Sequence, residues 1–184
     1  HLAQHAGAEV ADDAAFVGPH QDTEARNVFD KNNPATAKDL SGGWMDAGDF
    51  NKYVTFTAQP INELLTAYEE KPEIFTDDYN IPESGNGIPD IIDEIKWELD
   101  WLKKMQQSDG GVLLKVGFAR SGGGGSHSLP PSTNTAYRYY LPACSSSTII
   151  TALNFAHAAL TFSRFPRLQS YASDLKDRAI LAWD

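Results

Sequence analysis

From Ser145 to about Phe165 the chain runs through Ile149, Ile150, Ala152, Leu153, Phe155, Ala156, Ala158, Ala159, Leu160 and Phe162, apolar nearly all the way round a helix. A helix with no polar face has to be covered on every side. That single requirement predicts helices packed on helices and excludes an open, one-layered arrangement. The neighbouring segments supply candidates. Val54, Ala58, Ile61, Leu64, Leu65 and Tyr68 recur at helical spacing, with Pro60 bending or starting that helix and Lys71-Pro72 ending it. Ile88, Ile91, Ile92, Ile95, Leu99 and Leu102 form one apolar face, and Asp90, Asp93 and Glu94 sit in the first turn, where negative charge suits the helix dipole. A last amphipathic helix uses Tyr171, Ala172, Leu175, Ala179, Ala182 and Trp183. No strand alternation stands out, so the expected class is all-α. Five or so helices barely make the second layer that the apolar helix demands, which predicts that part of the domain lies outside these residues.

Composition narrows the partners. With 25 acidic against 15 basic residues the net charge is −10, a surface that repels phosphate backbones, so nucleic acid is not an expected partner. No run approaches the roughly 20 apolar residues that span a bilayer, so no membrane is expected either. A neutral polysaccharide would be indifferent to the charge. One cysteine, Cys144, excludes an internal disulfide and a cysteine-rich zinc site.

The segment Ser41-Gly42-Gly43-Trp44-Met45-Asp46-Ala47-Gly48-Asp49-Phe50-Asn51-Lys52-Tyr53 carries two carboxylates three residues apart, with glycines before and between them. A tight turn aims both into one cleft, small residues let water approach the backbone, and Trp44, Phe50 and Tyr53 offer a wall for a sugar ring. By spacing alone two readings stand. Asp46 and Asp49 hold and deprotonate a water, or they cap a helix in a metal-free turn. Downstream, Glu83, Asn86 and Asp90 offer hard oxygen ligands at a loop spacing that suits calcium; the alternative is a capped helix start with its acids in solvent. The long stretch from Val112 to Ala143, with glycines at 122–125, reads as a loop.

The Gly-Gly-Trp-x-Asp-Ala-Gly-Asp run resembles the signature of family 9 glycoside hydrolases, the inverting cellulases and related β-glycosidases. Asn80 to Asp90, then Asp93-Glu94 and Trp97-x-x-x-Trp101-Leu102-x-x-Met105-Gln106, is similar to the next block of that family, and Ser147-Thr148 and Ala182-Trp183-Asp184 fit in order. The resemblance runs from about residue 18 to the end. It implies residues 1–184 as the N-terminal portion of one catalytic domain, about half of the twelve helices of an (α/α)6 barrel, whose partners are a β-glucan polysaccharide or oligosaccharide and the rest of its own barrel. It further implies hydrolysis of β-1,4 bonds with inversion, Asp49 as general base, Asp46 as its helper, and a general acid outside these residues. Trp44 and Tyr53 would shape the cleft, His20 either lines it or is hydrogen-bonded in a loop, and secretion follows from the polymeric nature of such a substrate. No cofactor is required by such chemistry, though some members bind calcium. Some relatives hold zinc through Cys-His before the motif and a histidine after it; Pro19-His20 and Lys52 stand there, which argues against zinc. Two other readings remain open: a carbohydrate-binding protein of this fold without turnover, or a helical interaction module. Exo action on cello-oligosaccharides or glucosamine oligomers is also compatible.

Overall fold

The computed structural model describes residues 21–46, 50–119 and 137–184. Four α-helices are present among them: α1 (Ala58–Glu70), α2 (Asp90–Met105), α3 (Ser145–Phe162) and α4 (Gln169–Trp183). Helix α3 packs against α4, α1 and α2. The expectation of an all-α chain needs correction, because a small four-stranded sheet accompanies the helices. Its strands are β1 (Arg26–Asn27), β2 (Lys52–Tyr53), β3 (Lys115–Gly117) and β4 (Tyr139–Tyr140), in the order β1-β4-β3-β2. β1 runs parallel to β4, while β3 pairs antiparallel with both β4 and β2. The sheet therefore draws together segments far apart in sequence. Its β2–β3 register, Lys52 opposite Val116, fixes the C-terminal arm of the Asp-bearing turn onto the start of the long downstream segment.

The helices begin and end where local chemistry dictates. Val54–Phe56 forms a 3-10 turn instead of joining α1, and Pro60 is the third residue of α1. At that position a backbone N–H has no intrahelical partner to lose, so the proline costs little. α2 carries Asp90 and Asp93 in its first turn and Lys103 and Lys104 in its last, matching the helix dipole at both ends. Its Ile92, Ile95, Leu99, Leu102 and Met105 are fully buried and form the centre of the core with Ile61 and Leu65 of α1 and Phe155 and Phe162 of α3. At roughly 1.5–3 kcal/mol for each large apolar side chain removed from water, this cluster dominates the stabilisation of the helical layer.

The described residues cover α3 on only some sides: Ile149, Leu153 and Leu160 are exposed, 52–70% accessible for the last two. Among the described residues, α1, α2, α4 and the Val54–Phe56 turn cover only part of its circumference. The same holds for α4, whose Ala172, Leu175, Ala179 and Ala182 are buried while Trp183 is exposed.

Candidate active site

The segment that carries Asp46 is anchored piece by piece. Gly42 and Gly43 have φ of +89° and +77°, which L side chains rarely adopt. At Gly43 a Cβ would stand 2.5–2.9 Å from Cγ, Cδ2 and Cβ of Trp101, so the backbone lies directly on the indole of α2. Trp44 follows and is held twice by one face of α2. Its indole Nε1 donates to Glu94 Oε1 at 2.7 Å, and its backbone N–H donates to Glu98 Oε2 at 2.5 Å. The four-residue spacing of these glutamates puts both carboxyls on the same face. The Asp46 N–H then donates to the Asn51 carbonyl at 2.8 Å, bringing the two ends of the turn together. Asn51 is buried, and its side-chain oxygen accepts from the Phe118 N–H at 2.9 Å; only glycine fits at 117, because a Cβ there would overlap that oxygen.

Of the residues expected at the cleft, Trp44, Asp46 and Tyr53 line one cavity of about 720 Å³, together with Tyr79, Glu94 and Glu98. Asp46 is exposed to it. Tyr53 packs its ring 5.0 Å from that of Phe56, and the Lys115 ammonium lies 4.5 Å from the centre of the same ring. Asp49 and His20 lie outside the described residues. Sequence reasoning did not single out Glu98. This carboxyl is completely enclosed, and burial pushes it up to about 8; the Trp44 N–H and the Lys52 charge pull the other way without restoring an ordinary value. Its second oxygen, Oε1, has no hydrogen-bond partner among the described residues. The only advance signal was its place one turn after Glu94 on a helix with Trp97 and Trp101.

Beneath the turn lies a cluster that local patterns did not reveal. Lys52 and Arg138 both pair with Asp22, at 2.7 Å each, and all three side chains are at least nine-tenths buried. Burial lowers the affinity of Lys52 for its proton, and the Asp22 carboxylate opposes that.

The expected calcium ligands divide. Asp90 is buried, and its Oδ2 accepts from the Tyr79 N–H (2.6 Å) and the Ser84 hydroxyl (2.7 Å), while its Oδ1 has no hydrogen-bond partner among the described residues. Asp77, Asp90 and Asp93 each bring a carboxylate oxygen within 4.8 Å of the others. Asn86 does not join through its oxygen, which accepts from the Ile88 N–H at 2.7 Å; its amide nitrogen donates to Asp93 at 2.8 Å. Glu83 has a buried oxygen, Oε2, without a hydrogen-bond partner among the described residues. Burial lifts Asp93 to about 6, and the negative charges of Glu83 and Asp77 add to this. Asp77 and Asp93 were thus the ligand candidates that sequence spacing missed.

A helical layer with an Asp46-bearing segment opening onto an aromatic-walled cavity is the kind of site that the described residues present. The model of glycosyl hydrolase family 9 matches residues 3–184. Endoglucanase D of Acetivibrio thermocellus is 36% identical over 134 residues, 71% of this chain and 21% of that protein. Cellulose 1,4-beta-cellobiosidase of the same organism is 32% identical over 161 residues, 79% of this chain and 17% of that protein. A crystal structure of a metagenome-derived glycoside hydrolase family 9 endoglucanase superposes with a TM-score of 0.82 at 34% identity, covering 98% of this chain and 33% of that one. This chain belongs to glycosyl hydrolase family 9. It spans about a fifth of the length of these curated relatives.

Proposed function

We propose that this chain supplies the water-activating side of an enzyme that hydrolyses β-1,4-glucosidic bonds in cellulose or a related β-glucan by single displacement with inversion. Asp49 is the general base and Asp46 helps to hold the water, while Trp44 and Tyr53 shape the subsite at the scissile bond. The general acid stands elsewhere in the barrel, roughly 6.5–9.5 Å from the base, which leaves room for the water between them. One observation carries this reading: Trp44, Asp46 and Tyr53 face one cavity, with the Asp-bearing turn pinned at its rim by the Asp46–Asn51 hydrogen bond. A helix cap would have put the Asp46 carboxyl onto the first N–H groups of α1, yet α1 starts at Ala58 with no side-chain cap at Thr57. The polymeric nature of the substrate places the reaction outside the cell.

The test uses the natural protein that contains these residues and a soluble β-glucan. Asp49→Ala lowers turnover by about 10²–10⁴-fold, the usual contribution of a positioned base. Turnover equal to wild type in that variant refutes the assignment.

A structural divalent cation accompanies this reading. The orphaned, buried Oδ1 of Asp90 favours it, because such an oxygen beside two further carboxylates costs stability unless a cation or a proton neutralises it. Asp77, Asp90 and Asp93 would hold the ion, with Glu83 as a further oxygen ligand. Hard oxygen donors of this kind suit calcium.

A further inference from the structure

Two buried cations tie down both arms of the Asp46-bearing turn. The Lys52 ammonium pairs with Asp22 Oδ2 at 2.7 Å and also donates to the carbonyls of Leu40 (2.8 Å) and Gly42 (2.7 Å), on the arm that enters the turn. The Arg138 guanidinium pairs with Asp22 Oδ1 through Nε at 2.7 Å, and its Nη2 donates to the carbonyl of Phe50 at 2.6 Å, on the arm that leaves it. One aspartate is therefore the common reference for three backbone carbonyls on either side of the acids. Asp22 is itself held in a conformation with φ of +57°, and its carbonyl accepts from the Leu40 N–H at 2.9 Å. Phe50 also has a positive φ, +54°. Backbone of that kind persists only where its surroundings over-determine it.

Stability alone is a weak reason to bury such a cluster, since well-packed apolar side chains of similar volume often serve as well or better. Apolar contact is non-directional, however, and cannot fix where a carbonyl points. A charged hydrogen-bonding cluster can. Trp101, 5.4 Å from Lys52, and Phe118, 5.0 Å from Arg138, wall the cluster with aromatic rings.

We infer that Asp22, Lys52 and Arg138 are positioning residues for hydrolysis, holding the turn that bears Asp46 at a set height and angle against the cavity. The inference rests on the hydrolase reading above. None of the three touches substrate in this scheme; they act through the backbone at 40, 42 and 50.

The experiment measures kcat, KM and Tm on a cello-oligosaccharide for the natural protein that contains these residues, for Lys52→Met and Asp22→Asn, and for Ile61→Val. Ile61→Val trims the core of α1 away from the turn and serves as the purely structural control. In the two cluster variants kcat falls by about 10²-fold, the loss that a displacement of about 1 Å produces, and KM stays near wild type. Ile61→Val lowers Tm and leaves kcat alone. Folded Lys52→Met and Asp22→Asn proteins with wild-type kcat, or with losses that merely track the folded fraction, overturn the inference. Should Lys52→Met fail to fold, Asp22→Asn and Arg138→Lys decide, the latter keeping the charge while giving up the planar fork that reaches Asp22 and Phe50 together. A wild-type protein with no activity on any β-glucan sinks the hydrolase reading and this inference with it. Wild-type turnover with unaffected variants sinks the inference alone.

Discussion

Replacing Glu98 by glutamine removes a titrating group from a fully buried place while nearly preserving its shape. In the wild-type protein Glu98 Oε2 accepts from the Trp44 N–H, Oε1 has no hydrogen-bond partner among the described residues, and burial raises the carboxyl from 4.5 to about 8. A raised acid binds its proton more tightly when folded than when unfolded. Its contribution to stability is therefore complete below about pH 4.5 and is lost progressively as the pH climbs towards 8. Each pH unit inside that window costs about 1.4 kcal/mol, so roughly 2–3 kcal/mol goes between pH 5 and pH 7. That is a sizeable part of the 5–15 kcal/mol that holds a typical domain together. Glutamine can still accept from Trp44 through its carbonyl oxygen and does not titrate. Urea unfolding at pH 5 and pH 7 reads the difference directly. Glu98→Gln should match or fall slightly below wild type at pH 5 and exceed it at pH 7, with a flatter profile between. Parallel profiles for the two proteins would refute the claim that Glu98 is held as a neutral acid.

Three other outcomes follow from the same geometry. Gly43→Ala forces a methyl into the Trp101 side chain at a φ of +77°, and should cost about 1–3 kcal/mol, seen as a lowered Tm with the cavity residues themselves untouched. Calcium should raise Tm at pH 7 more than at pH 5, because Asp93 keeps its proton below about 6 and a ligand must give its proton up; Asp90→Asn should abolish the rise. If, as proposed, the general acid stands elsewhere in the barrel, the 184-residue chain on its own should release no reducing sugar from a soluble glucan, losing at least the 10²–10⁴-fold that general acid catalysis contributes; turnover comparable to the natural protein would contradict that proposal.

The helices were readable because their information is local. Ile88 to Leu102 at three- and four-residue intervals gives α2 to within two residues of its observed start at Asp90, and the apolar run from Ser145 gives α3. The strands were not readable, and the reason is their length. Two or three residues, as in Arg26–Asn27 or Lys115–Gly117, cannot display an alternation, and their pairing is set by partners as much as 113 positions away. The same non-locality hid the charged support of the turn. Asp22, Lys52 and Arg138 look like ordinary surface residues in sequence, and only the β1-β4-β3-β2 order brings them under one loop. The Trp44-Met45-Asp46 motif was legible as chemistry, whereas its clamps on Glu94 and Glu98 needed the crossing of the turn over α2. In the downstream loop, spacing groups Asp90 with Glu83 and Asn86, whereas the fold brings it beside Asp77 and Asp93, because the folding-back of Asp77 onto the Gly85 and Gly87 N–H groups is a three-dimensional event.

The anomeric form of the first product tests the proposed chemistry most directly. Proton NMR of a soluble β-1,4-glucan, followed from the start of turnover by the natural protein that contains these residues, separates the two outcomes before mutarotation blurs them. A water activated by Asp49 and delivered from the face opposite the leaving group produces the α anomer first. Early appearance of the β anomer would mean that the carboxylate attacks the sugar itself or plays no part in placing the water.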